Sequence, residues 1–184
     1  MPGNQQIILG VDPGTTIMGY GLIQSAGPKQ KMIAMGVIEL KKLPGHYEKL
    51  KMIFERITQL IVHYKPDALA VEAPFYGKNV QSMLKLGRAQ GAAISAALAK
   101  NIPVFEYAPL KVKQSITGHG NASKQQVAAM LQNILKIDEL PEHLDATDGL
   151  AVALCHCYQG GNKISGEGVN SWKEFIRKNP GRVK

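Results

Sequence analysis

Cysteine, tryptophan and long apolar runs are all scarce in this chain of 184 residues, which has two cysteines and one tryptophan. Cys155 and Cys157 stand one residue apart, no basis for a disulfide framework, so a reducing cytoplasm is the expected setting. The densest apolar stretch, Ala89 to Ala99, is broken by Gln90 and falls well short of the roughly 20 residues that cross a bilayer. No membrane role is expected. No basic segment precedes an apolar one at the N-terminus, and Asp12 comes too early for a signal peptide. Aromatics are sparse at 6%, yet 45% of residues are hydrophobic, enough for a core and against global disorder.

Acidic residues are also in short supply, 14 against 22 Lys and Arg, for a net charge of +8. Half of the excess falls after Asn162, where Lys163, Lys173, Arg177, Lys178, Arg182 and Lys184 outnumber Glu167 and Glu174. A basic body with a basic tail suits a polyanionic partner, although charge alone fits any soluble protein of high pI equally well. Length and continuity predict a single domain over residues 1–161, followed by a loosely ordered basic tail over 162–184.

Three apolar stretches, Ile7 to Val11, Met18 to Gln24 and Lys31 to Leu40, are joined by short turns and predict an antiparallel meander. Leu50, Ile53, Phe54, Ile57, Leu60 and Ile61 recur at helical spacing across Tyr47 to Tyr64, before Pro66-Asp67 breaks the pattern. Ala68 to Ala73 reads as a buried parallel strand, Val80 to Lys100 as a helix and Ile102 to Tyr107 as a fifth strand. Helices are expected over Pro109–Thr117, from an N-cap at Ser123 to Lys136, and from Leu144 to Tyr158. The order predicts an α/β fold, a five-stranded mixed sheet with helices on both faces.

The chemistry begins with acids in unusual places. Asp12 ends an apolar strand, and Glu72 lies within Leu69-Ala70-Val71-Glu72-Ala73. Asp145 and Asp148 are three apart, which puts both carboxylates on one helix face. Structural explanations exist for three of them: Asp12 as a turn former before Pro13-Gly14, Asp145 as a helix cap, and Asp148 in the first turn of that helix favouring its dipole. Glu72 has no such explanation. Buried carboxylates that converge would repel unless divalent cations joined them, and an oxygen-rich, histidine-poor set favours Mg²⁺ or Mn²⁺ over zinc. His156 between the two cysteines offers no tetrahedral shell and is expected to pack in the core.

These residues sit in motifs that resemble a known family. Ile8-Leu9-Gly10-Val11-Asp12-Pro13-Gly14-Thr15, Val71-Glu72 with Phe75 and Lys78-Asn79, Leu84 to Gly91, Val104 to Pro109, and Asp145-Ala146-Thr147-Asp148-Gly149 look, in order, like the RuvC family of bacterial crossover-junction endodeoxyribonucleases. The resemblance implies a ribonuclease-H-like fold, a homodimer, and resolution of four-way DNA junctions to 5′-phosphate and 3′-hydroxyl ends. It implies that Asp12, Glu72, Asp145 and Asp148 are catalytic and hold two Mg²⁺ ions, with Mn²⁺ a substitute. It further implies that Phe75 stacks on a base, that Lys113 and Lys124 hold DNA near the site, and that the RuvA–RuvB branch-migration complex is a partner. Lys78 and Asn79, basic and amide neighbours of Phe75, are placed with the DNA contacts. Lys124, in the first turn of a helix, also adds its charge to a ready phosphate site.

Gly87, Gly91 and Ser95 form a small-residue stripe that by spacing alone is expected to pack on the sheet; the family resemblance implies dimerisation there instead. Three rival readings remain. An ATPase of the sugar-kinase class needs two lobes, more than this length holds. A related nuclease of ribosomal RNA maturation shares the first acidic motif but not the Phe75 and Leu84–Gly91 segments. A non-catalytic nucleic-acid-binding module would gain from losing acids beside DNA.

Overall fold

The computed structural model describes residues 5–74 and 79–160. Strands β1 (Gln6–Asp12), β2 (Ile17–Ala26) and β3 (Lys29–Glu39) form the expected antiparallel meander, and Gly27 takes a positive φ in the second turn. Helix α1 (His46–Tyr64) ends at Lys65, and the chain returns as β4 (Ala68–Glu72), parallel to β1. Helix α2 (Val80–Leu98) and strand β5 (Val104–Tyr107) complete a five-stranded sheet of order β3-β2-β1-β4-β5. Helices α3 (Pro109–Thr117), α4 (Lys124–Leu135) and α5 (Asp145–Gly160) follow.

Strand alternation divides the core in two. Leu9, Val11, Leu22 and Leu69 pack with Ile53, Ile57, Ile61 and the alanines of α2 on one face. Ile8, Ile23 and Ala70 pack with Val112, Val127, Leu131 and Leu150 of α3, α4 and α5 on the other. Both faces are therefore covered, as the element order predicts. Among the described residues no helix is long and apolar enough to cross a membrane.

Three expectations need correction. The fifth strand starts at Val104 rather than Ile102, consistent with Pro103, which has no N–H for a ladder. Helix α5 begins at Asp145 and continues through Gly160, past Tyr158. The stripe on α2 does not pack on the sheet: a Cβ added at Gly87 or Gly91 would meet no atom within 4 Å, and Ser95 is exposed. Ala89, Ala93, Ala96 and Ala97 take the sheet-facing side, which leaves the stripe turned away. The boundary expected at 161/162 and the basic tail lie outside the described residues.

Helix α5 crosses the meander closely because glycines meet there. A side chain at Gly10 would strike the backbone of Gly149, and one at Gly19 the carbonyl of Asp145. The reciprocal position behaves alike: a Cβ at Gly149 would lie 2.5 Å from Tyr20 Cα. This contact fixes where the first turn of α5 sits over the carboxyl end of β1.

Candidate active site

Asp12 and Glu72 end adjacent parallel strands. The last β1–β4 pair is Val11 with Val71, so the two acids follow it side by side at the carboxyl end of the sheet. Asp12 is still paired with Gly19 of β2 and Glu72 with Tyr107 of β5. Asp145 and Asp148 reach the same end from the first turn of α5, and the buried Thr147 hydroxyl between them donates to the Leu144 carbonyl at 2.6 Å. A cavity of about 180 Å³ joins Asp12, Glu72 and Asp148 to Lys113 of α3, Lys124 of α4 and the apolar walls Val112, Val127 and Ala151.

The electrostatics are strained in one direction. Burial pushes Asp12 well above the usual carboxylate range, and the charges of Glu72, Asp148 and Asp145 raise it further against the pull of Lys124. Burial, then the Asp148 charge, lift Glu72 from 4.5 to about 7 despite Lys113 and Lys124. Asp148 is raised by burial, a shift that its hydrogen bond from Lys124 only partly offsets. Like charges about 5 Å apart repel by about 3 kcal/mol at an effective dielectric near 20. Three carboxylates share the cavity with two ammonium groups and Asp145 joins them through Lys124, so acids outnumber the cations there.

Lys124 supplies part of the positive charge. Its Nζ donates to Asp145 Oδ1 at 2.9 Å and to Asp148 Oδ2 at 2.6 Å. Burial alone would lower this lysine, but its hydrogen bonds to Asp148 and Asp145 prevail and raise it. A capping box between Ser123 and Gln126 sets the start of α4 and hence the base of the lysine. Asp145 is the first residue of α5 and not its N-cap, the opening bonds going from Thr147 N and Asp148 N to the Leu144 carbonyl, and its Oδ1 accepts from Lys124 instead. Among the described residues no group of three or more Asp, Glu, His or Cys side chains is arranged to hold a metal ion as it stands, and the Lys124 ammonium lies between Asp145 and Asp148. The acids nonetheless have the chemistry of a hard-cation site: the candidate ligands are all carboxylates, and burial raises Asp12, Glu72 and Asp148 above the usual carboxylate range.

Asn79 caps α2, its Oδ1 accepting from Ser82 N at 3.1 Å. Phe75 and Lys78, expected at DNA, lie outside the described residues. Cys155 and Cys157 are buried and free, and His156 Nδ1 meets the Tyr107 hydroxyl at 2.8 Å, in keeping with a packing role. Gln90 was not anticipated as a functional residue: it is 7% exposed, and its Nε2 donates to the Glu72 carbonyl at 3.1 Å and to Glu106 Oε2 at 3.2 Å. In the sequence it only interrupts an alanine run; its partners lie 18 and 16 residues away and are set by sheet register.

The model of the family "Crossover junction endodeoxyribonuclease RuvC" matches residues 8–156. A crossover junction endodeoxyribonuclease RuvC from Bacteroides fragilis is 58% identical over 185 residues, covering 100% of this chain and 98% of that protein. One from Cytophaga hutchinsonii is 59% identical over 179 residues, 97% of this chain and 88% of that protein. Among solved structures, a RuvC from Thermus thermophilus in complex with Holliday junction substrate superposes with a TM-score of 0.79 at 32% identity. The match covers 85% of this chain and 95% of that one. The yeast mitochondrial Holliday junction resolvase shares the fold at a TM-score of 0.60 and 14% identity. A family model that spans residues 8–156, full-length relatives of one kind and a ribonuclease-H-like sheet lead to one assignment: the chain belongs to the RuvC family of crossover junction endodeoxyribonucleases.

Proposed function

We propose that this protein is a structure-selective endonuclease that resolves four-way DNA junctions by phosphodiester hydrolysis in recombination and repair. The observation that carries this reading is the cavity that joins Asp12, Glu72 and Asp148, from two strands and a helix, to Lys113 and Lys124, with Asp145 tied to it through Lys124. In this reading Asp12, Glu72, Asp145 and Asp148 would hold two Mg²⁺ ions, with Mn²⁺ a substitute. Bound there, the cations would neutralise the phosphoryl oxygens, activate the attacking water and stabilise the leaving 3′-oxygen.

The protein's own groups do the rest. Lys113 and Lys124 hold the scissile phosphate, and the N-terminus of α4 adds its dipole at the same spot. The apolar walls Val112, Val127 and Ala151 limit water around the carboxylates and strengthen each charge interaction. Phe75, following the Glu72 strand, stacks on an unpaired base near the crossover, with Lys78 and Asn79 against the backbone. A homodimer formed through the open face of α2 presents two such sites to a junction of matching twofold symmetry. The RuvA–RuvB branch-migration complex is the partner that delivers the junction, and the cytoplasm is where it works.

The test is nicking of an immobile synthetic four-way junction. Cutting is expected with Mg²⁺ and Mn²⁺, symmetrically on strands of like polarity, with ligatable ends and little action on linear duplex. Equal cutting of linear duplex, or cutting undiminished by EDTA, would refute the proposal.

A further inference from the structure

We propose that Gln90 is a positioning residue for Glu72, an inference that rests on the reading of Glu72 as a metal ligand. Gln90 is the one polar side chain of α2 buried against the sheet among the described residues, on a face otherwise made of Ala89, Ala93, Ala96 and Ala97. An apolar residue would fill that place at lower desolvation cost, so packing alone does not call for an amide. Its partners, a carbonyl and a carboxylate, are both acceptors, which orients the amide with its NH₂ end towards β4 and β5 and engages both N–H groups.

The bond falls where β4 loses other support. Ala73 N donates to the Tyr107 carbonyl at 2.8 Å, and the next residue, Pro74, has no N–H to continue the ladder. The Glu72 carbonyl lies between the carboxylate and this exit from the sheet. Gln90 holds that peptide from the helix side, and Glu106 Oε2 at 3.2 Å fixes the amide that holds it. Rotation of the Glu72 peptide would swing its Cα–Cβ direction and carry the carboxylate off its place beside Asp12. A displacement of about 1 Å at a reacting site costs on the order of a hundredfold in rate.

The experiment compares full-length Gln90→Met, which keeps length and removes both donors, with Gln90→Arg, which keeps a donor facing Glu106. Single-turnover cleavage of a four-way junction, junction affinity in Ca²⁺, Mn²⁺ affinity of the DNA-free protein, and thermal melting are read together. Gln90→Met is expected to cleave 10- to 100-fold more slowly and bind Mn²⁺ several-fold more weakly, with junction affinity within about twofold of wild type. Gln90→Arg is expected to recover most of both losses. Glu106→Ala, on the exposed edge strand, is expected to slow cleavage several-fold at unchanged melting temperature, so the idea is tested even if Gln90→Met folds poorly. Wild-type rate and Mn²⁺ affinity in Glu106→Ala and Gln90→Met, or an Arg variant as impaired as the Met one, would overturn the positioning role. Glu72→Gln serves as control: if it still cuts, the ligand reading fails and this inference with it, whereas an inactive Glu72→Gln beside a fully active Gln90→Met removes the inference alone.

Discussion

Asp12 carries opposing demands, because burial and three neighbouring carboxylates make its charge costly to the fold while the proposed reaction requires that charge. Replacement of Asp12 by Asn keeps shape and removes charge. Junction cleavage is expected to fall by at least about a thousandfold, while the metal-free protein melts several degrees higher than wild type. Unchanged cleavage, or a lower melting temperature, would contradict the role. Glu72 brings a pH dependence of definite sign. Its folded-state value is about 7, above the ordinary 4.5 of a glutamate, so the folded protein holds a proton that the unfolded chain releases. Stability of the metal-free protein is therefore greatest below pH 4.5 as far as this group is concerned, and it declines as pH rises through the window up to about 7. Urea unfolding in EDTA at pH 5 and pH 7.5 should show a loss of a few kcal/mol at the higher pH, and Mg²⁺ should reverse it. Equal stability at both pH values would mean that Glu72 is not confined as described.

At the scale of elements, the site depends on how closely α5 approaches β1 and β2. Gly149→Ala places a methyl carbon 2.5 Å from Tyr20 Cα, backbone against backbone, where no flexible side chain can give way. A loss of about 3 kcal/mol or more is expected in urea unfolding, with cleavage impaired because Asp145 and Asp148 shift with the helix. A variant as stable as wild type would show that α5 is not held by this contact. The elements themselves were legible to within a residue or two because hydrophobic period, Pro66, Pro109 and the Ser123 cap mark them locally. Glu72 stood out for a similar reason: an ionisable residue ending an apolar strand breaks the local pattern. Gln90 and the partnership of Lys124 with both aspartates did not stand out. Their meaning comes from register and helix rotation, which join residues far apart in the chain, and neither interrupts a local pattern in a way that names its partner. The stripe at Gly87, Gly91 and Ser95 misled for the converse reason, since equal spacing marks a face but not which way the face turns.

For the whole molecule, an outward stripe on α2 and a junction of twofold symmetry go together. Gly91→Lys fills open space, so the folded monomer should lose no stability and gain slightly from a better helix former. Light scattering is expected to show the wild-type chain at twice the monomer mass and Gly91→Lys at the monomer mass, with paired cutting replaced by single nicks. A wild-type monomer, or a variant that still pairs, would move the interface elsewhere. All of these cleavage effects rest on the acid quartet. The most direct measurement is anomalous scattering from crystals soaked in Mn²⁺: two peaks are predicted between Asp12, Glu72, Asp145 and Asp148, with the Lys124 ammonium displaced from its aspartates. Full-occupancy soaks with no peak among those oxygens would contradict the account.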